Sequence, residues 1–496
     1  MNSPTDHPAV HQRDGQLSAP RTPWQLAGSI PQSVAVVGAG IAGLTAAYRL
    51  KQAGMQVTVF ESENVVGGRM GDRKVGDIAF NSGARLVYPF GRAFNRLVAD
   101  LSLHDILVPL RNLTAQCVAP GGAHTIELMP SFRSLATPGL RVTERLAMIR
   151  HALQMRALKS RVDPDWAISA LDVDRAYDQM TLADYTRERI GPNVLARMVE
   201  PVFRATRSFN PETLSALFYL TTVPHLIGET TVYTLKGGMG RVCEALAAQL
   251  TVRTGVRVAS IHRGVRPAAP SAAGHGAWQQ PAMALTLAGG EVLRFDHIVC
   301  AVEGSLARQL VDAPLDAERA MLDSVRYNAL GVVHYGFARP LPPVMNFAPR
   351  GTPSRIATYQ QLPAAPVQGR PLTQIYCQLT PEAAEEAMGR GLTGDLDALL
   401  RDELRQRISN FDAQVVSVVN QWIPRKLPVF APGYGARLQT FWQWQEDPAR
   451  ALDLPVVYCG DWTSQALLTG ACASGERAAQ IVLARVLDHT PERGQN

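Results

Sequence analysis

Two stretches decide the fold: Ser33-Val34-Ala35-Val36-Val37-Gly38-Ala39-Gly40-Ile41-Ala42-Gly43, and a little later Gln56-Val57-Thr58-Val59-Phe60-Glu61. Ser33–Val37 is a short apolar run closed by glycine, the pattern of a parallel strand buried on both faces. Ile41–Ala53 has helical spacing and stops at Gly54. Gln56–Phe60 is a second strand rich in β-branched residues, so the stretch reads as a βαβ unit. Within it Gly38 permits the tight turn, Gly40 lets backbone approach a pyrophosphate, and Gly43 lets helix and strand pack closely. Ala39, Ile41 and Ala42 complete the loop and open a helix whose N-terminus favours phosphate. Glu61 ends the second strand 18 residues past Gly43 and suits a ribose hydroxyl, with Ser62 beside it. Strand, glycine loop, helix and terminal acid together point to dinucleotide binding.

Working outward, the chain has 496 residues, 46% hydrophobic and 19% charged, an ordinary globular balance with room for two or more domains. The net charge of +6 is compatible with an anionic cofactor, an acidic substrate or an anionic membrane surface, and selects none of them. No aromatic-plus-basic motif calls for a nucleic-acid partner. Six cysteines (117, 243, 300, 377, 459 and 472) form no CxxC pair and no zinc-spaced cluster with histidine, so no metal is expected. Reduced thiols in a cytoplasmic protein are the plain reading. Residues 1–32, rich in Pro, Ser, Gln and His without an apolar core, read as a disordered leader. No window approaches 18 uninterrupted apolar residues, so no transmembrane helix is expected.

Beyond the βαβ unit, helical patterns dominate 101–227, notably Arg141–Lys159 and Thr213–Leu220. Val256–Ile261 and Ala282–Leu287 read as paired strands joined by a surface loop, Arg266–Gln280. Phe295–Val302 is another buried strand. Residues 306–450 alternate strand-like runs such as Gly331–Phe337 with proline-rich turns, and carry one long acidic helix near 381–408. Val456–Val486 reads as strand, loop and helix. The expected class is α/β: a Rossmann-like nucleotide domain (33–100, 228–305 and 451–488) with an inserted α+β substrate domain (101–227, its helical part, and 306–450).

Further motifs narrow the reading. Gly67-Gly68-Arg69 follows the ribose acid. Asn81-Ser82-Gly83-Ala84-Arg85-Leu86, Glu200-Pro201 through Leu214-Ser215-Ala216, Leu235-Lys236-Gly237-Gly238-Met239-Gly240 and Val258-Ala259-Ser260-Ile261 come next. Trp422…Leu427-Pro428…Pro432-Gly433-Tyr434, Gly460-Asp461-Trp462 and Gly470-Ala471-Cys472-Ala473-Ser474-Gly475 complete the series. In this order they resemble the flavoprotein superfamily of flavin amine oxidases, protoporphyrinogen oxidases and phytoene-type desaturases, over about residues 33–485. Asn81 stands where an acid is frequent, and Tyr434 where histidine is frequent. The resemblance implies FAD. It sets Gly68 and Arg69 near the cofactor phosphates, Gly83, Ala84, Arg85 and Leu86 near the flavin, and the Val258 backbone at the adenine. Gly460 and Asp461 fall beside the phosphates, and Leu468, Thr469 and Ala471 at the start of a helix whose dipole would stabilise negative charge on a reduced flavin. Cys459 and Cys472 lie near the expected flavin, but packing explains small residues there, so the FAD is expected to be non-covalent.

Other features carry competing readings. The helix 141–161 has an apolar stripe, Val142, Leu146, Ile149 and Leu153, among six basic residues. An ordinary amphipathic surface helix is favoured over peripheral membrane contact. Arg204 and Arg207 are expected to line the substrate cavity, either binding a substrate carboxylate or forming structural salt bridges. Tyr335 is a further substrate-cavity candidate, with a satisfied core pair with His334 as its default.

Three reactions fit: dehydrogenation of a largely apolar or conjugated small molecule by hydride transfer to flavin N5, amine oxidation, and a redox-neutral isomerisation or cyclisation. Amine oxidases of the superfamily often place an aromatic wall where this chain has Leu467, followed by Leu468, and a lysine in the strand equivalent to Arg326–Phe337, which here has none. An aliphatic wall lacks the ring quadrupole that attracts an amine, so dehydrogenation is favoured. No catalytic acid or base stands out, and the electron acceptor, oxygen or a quinone, is left open.

Overall fold

Val34, Ala35 and Val36 are fully excluded from solvent because a parallel strand pairs on each side, with Val37 opposite both Phe60 and Cys300. The computed structural model describes residues 32–76, 78–119, 122–263, 283–367, 370–447 and 456–488. The leader (but for Gln32) and the loop Arg266–Gln280 lie outside them. Ser33–Val37 is the centre of a five-stranded parallel sheet in the order Val456–Tyr458, His297–Cys300, Ser33–Val37, Gln56–Phe60, Thr251–Arg253. Strands from the two ends of the chain are therefore two places apart. The helix Ile41–Gln52 packs on this sheet and against the last helix, Leu468–Asp488. The fold is α/β, Rossmann-like, with an inserted α+β part.

A seven-stranded sheet forms the core of the insertion, in the order Val415–Pro428, Tyr327–Phe337, Arg370–Leu379, Ile356–Val367, Val344–Phe347, Thr114–Ala119, Gly122–Glu127. Successive side chains on a strand point to opposite faces. Val333, Tyr335, Phe337, Ile375 and Cys377 share a core cluster with Leu399, Leu400 and Leu404 of the helix Asp397–Arg407. The intervening residues are polar: His334 is hydrogen-bonded to Gln421 and Gln374, and Tyr376 to Gln378. This polar face meets the nucleotide-binding half, where Phe80 stacks on His334 and Gln421 donates to the Asn81 carbonyl.

The structure differs from three expectations. The segment 101–227 opens with strands Leu107–Arg111, Thr114–Ala119 and Gly122–Glu127, which pair outside it or with each other, before the helices begin. The helix near 381–408 is two helices, Pro381–Gly389 and Asp397–Arg407, parted by a stretch containing Gly391 and Gly394. The helix Val142–Leu158 turns its apolar stripe to solvent and buries Glu144 and His151.

One irregularity has a clear cause. A π-turn, Leu195–Val199, precedes the helix Glu200–Arg207. Pro201 has no N–H to give the Arg197 carbonyl four residues back. That carbonyl instead hydrogen-bonds the His124 ring at 3.0 Å.

Candidate functional site

Gly38 adopts φ +105°, which an L side chain rarely reaches, and closes the turn between strand and helix. A Cβ on Gly43 would meet the Gly38 carbonyl at 2.1 Å, so only glycine allows this contact. At Gly40 a Cβ would meet nothing within 4 Å. Gly40 also caps the helix Ile41–Gln52, with no side-chain cap and no acid in the first turn. A glycine facing open space at a positive, uncapped helix end fits a pyrophosphate. Glu61 reaches back so that its Oε2 accepts the Ala39 N–H at 2.8 Å, while its Oε1 accepts from Glu63 N–H and the Ser62 hydroxyl. Glu61 thus stands beside the phosphate loop with oxygens that can also accept a ribose hydroxyl. Val256 donates to the Glu61 carbonyl, which brings the strand Val258–His262 to the same edge.

The second loop docks on the first. Gly67 N–H donates to the Ala39 carbonyl, and the short helical turn Gly68–Met70 follows. Arg69 leaves it and holds both oxygens of Asp461, at 2.7 and 2.8 Å, and the Lys426 carbonyl at 2.7 Å. The Asp461 carboxylate keeps Arg69 charged despite burial. Ala84 N–H donates to the Arg69 carbonyl, and a Cβ on Gly83 would strike that oxygen at 2.7 Å. One guanidinium therefore ties the N-terminal loops, the C-terminal strand end and the substrate sheet together.

From Asp461 the chain turns through Leu467 and Leu468, both half-buried, into the helix Leu468–Asp488. Gly460 N–H donates to the Ser474 hydroxyl at 2.8 Å. Ala471 is buried, and the Thr469 hydroxyl donates to Asp165. Burial raises the Asp165 carboxyl to about 6. Asp165 lies 304 positions from Thr469, so nothing local in the sequence flags the pair.

On the polar face of the seven-stranded sheet, Arg85 lies 4.2 Å over the ring of Tyr376 and donates to Gln360, while Leu86 joins an apolar cluster with Tyr88 and Phe90. Arg207 lies over the rings of Phe218, Phe203 and Tyr88, with no ion pair among the described residues. Arg204, three residues earlier, is taken up by Glu382 in a two-pronged pair at 2.7 Å, the salt-bridge alternative of its two readings. Tyr335 is not brought to the site: it lies in the sheet's apolar face, with its hydroxyl on Asp397.

The sequence reading missed Lys426. The strand corresponding to the amine oxidases' lysine strand has no lysine, but its neighbour Val415–Pro428 supplies one next to Leu427, which pairs with Asn328. Lys426 is 6% exposed, and its Nζ donates to the Ser208 hydroxyl at 3.2 Å and to the Thr206 carbonyl at 3.4 Å. Burial, together with the Arg85 and Arg207 cations, lowers its pKa to about 7. Gln378 also donates to the Ser208 hydroxyl and accepts from the hydroxyl of Tyr376, under Arg85. Arg85, Arg207 and Lys426 thus share one polar corner, with no ion-pair partner among the described residues. The available signal was Lys426 inside the Trp422–Pro428 stretch.

Comparison with known proteins agrees with this architecture. The chain is 25% identical over 186 residues to protoporphyrinogen oxidase 2, chloroplastic/mitochondrial, of Arabidopsis thaliana, covering 37% of this chain and 34% of that protein. It is 46% identical over 54 residues to 4,4'-diapophytoene desaturase (4,4'-diaponeurosporene-forming) of Staphylococcus aureus, 11% of each chain. The matched stretches thus span about a third or less of these curated relatives. Among solved structures, putrescine oxidase bound to putrescine superposes with a TM-score of 0.66 at 16% identity, covering 92% of this chain and 99% of that one. At that identity it establishes the fold alone. A profile of the flavin containing amine oxidoreductases matches residues 41–483, nearly the whole described chain. The chain accordingly belongs to the flavin containing amine oxidoreductase family.

Proposed function

We propose that the protein holds FAD non-covalently and dehydrogenates a largely apolar or conjugated small molecule. The flavin, when bound, supplies a two-electron acceptor for the hydride leaving a substrate C–H bond. This chain's residues do the rest. The Gly38–Gly43 loop and Glu61 would seat the dinucleotide, and Arg69 with Asp461 would fix the seam between the two halves. Leu467 and Leu468 would exclude water from the substrate side. The six cysteines are all buried, and burial pushes the Cys459 and Cys472 thiols well above their usual range, which supports a flavin held without a covalent bond.

One observation supports the choice of reaction: Arg85, Arg207 and Lys426 gather in one corner, on the polar face of the seven-stranded sheet, without a carboxylate partner among the described residues. Three cations in a partly desolvated corner repel an ammonium group and attract an anionic one. The favoured substrate therefore has an apolar body that lies against the leucines and an anionic end that faces this corner.

Anaerobic rapid mixing tests the reading. Apolar polyene and porphyrinogen-like compounds should bleach the flavin absorbance, and simple amines should not. Leu467→Asp should retain FAD and slow that bleaching, because a carboxylate there opposes an apolar ligand. Rapid bleaching by a simple amine overturns the reading. Turnover at constant flavin redox state replaces it with isomerisation or cyclisation.

A further inference from the structure

The helix Val142–Leu158 is inside out. At 100° per residue, Val142, Leu146, Ile149 and Leu153 fall within an arc of about 60°, and Glu144, His151, Met155 and Leu158 lie on the opposite side. A helix on a water-soluble surface turns the first set inward. Here the second set is buried, and the first is 74%, 62%, 42% and 65% exposed. The orientation is anchored. Glu144 accepts hydrogen bonds from Asn193 N–H, the Asn193 side chain and Arg141 N–H. His151 sits between the hydroxyls of Tyr219 and Tyr185. Rolling the apolar row inward would break these contacts and leave Glu144 without its partners.

The charge around the row has one sign. Arg150 and Arg156 flank it, and Arg141 and Arg161 stand at its ends; all four are exposed, and none has an ion pair among the described residues. The only carboxylate between 131 and 161 is Glu144, which faces inward. An isologous second copy would set these arginines against themselves. A surface carrying fixed negative charge above an apolar layer answers both features. We propose that this helix lies flat on an anionic lipid bilayer, its apolar row in the acyl boundary and its arginines among the headgroups.

The position of the helix suits this. Tyr219, against which its inner face packs, belongs to the helix Ala216–Thr222. On that same helix Thr221 accepts from Gln465, two residues before Leu467, and Phe218 carries Arg207. One helix thus separates the proposed bilayer contact from the substrate side of the site.

The test is co-sedimentation of the full-length, flavin-loaded protein with vesicles of phosphatidylcholine alone or mixed with phosphatidylglycerol. The wild type should pellet with the mixed vesicles, at least tenfold less with pure phosphatidylcholine, and less as salt rises. L146D/L153D should cut the bound fraction at least tenfold with flavin content and melting temperature unchanged, since both side chains face solvent. R150E/R156E should lose the preference for phosphatidylglycerol. Failure of the wild type to pellet overturns the proposal, as does pelleting of L146D/L153D like wild type. A wild-type dimer in sedimentation velocity that L146D/L153D splits, without vesicle binding, assigns the face to a second copy instead.

Discussion

Arg69 and Asp461, 392 positions apart, form a two-pronged ion pair in which the Asp461 side chain is 6% exposed and the Arg69 side chain 29%. A pair this buried matters most when half of it is removed, because the remaining charge has lost its partner and its water. Arg69→Ala should destabilise the protein by about 3 kcal/mol and weaken flavin retention. R69A/D461N should recover part of the stability. Denaturant unfolding of Arg69→Ala, Asp461→Asn and the double variant measures both, and additive losses would show that the pair is not coupled.

Gly40→Val should abolish FAD binding while leaving the fold intact. A Cβ added here meets no protein atom within 4 Å, so the backbone accepts a side chain in the flavin-free protein, yet that side chain fills the space a pyrophosphate needs. Visible flavin absorbance of the purified variant reports the outcome, with circular dichroism as the folding control. A yellow variant with normal flavin content would show that the phosphates lie elsewhere.

The cationic corner gives a pH dependence. Lys426, with its pKa held down to about 7 by burial and its cationic neighbours, is charged below that value and neutral above it. Affinity for an anionic substrate should fall as pH rises through 7, seen as a rising KM with little change in kcat. Lys426→Met should raise KM about tenfold, for the loss of one charge-assisted contact of about 1.4 kcal/mol, and should flatten the profile. An unchanged profile in the variant would assign the titration to another group.

Two of the buried histidines give stability an acid dependence. Burial lowers His151 and His334 from 6.5 to about 4. Unfolded histidine takes up its proton first as pH falls, so the stability present above 6.5 is lost between about 6.5 and 4. Each group's full share is on the order of 3 kcal/mol. His334→Gln should flatten the stability curve across that window. An equally steep curve in the variant would point to other groups.

The nucleotide-binding half was legible because its determinants are local. Gly38, Gly40 and Gly43 act through backbone within six residues, and their roles follow from spacing alone. The substrate side was not. Tyr335 and His334 are adjacent in sequence but face opposite sides of the sheet, and alternation alone does not say which side is dry. The row from Val142 to Leu153 gave a correct helix with the wrong face inward, because periodicity defines a stripe without saying what covers it. Glu144 and His151 decide the matter through Asn193, Tyr185 and Tyr219, which lie 34 to 68 residues further along. Lys426 went unseen because its meaning depends on a strand almost a hundred residues away.

A Cβ on Gly475 would lie 2.3 Å from the carbonyl of Ala42, so the first and last helices touch backbone to backbone. The helix Ile41–Gln52 is synthesised long before the helix Leu468–Asp488 against which it closes. Vectorial folding therefore leaves the Gly38–Gly43 loop without this wall until the whole inserted part has been made. Until then the nascent βαβ unit carries an apolar flank with no helix to cover it.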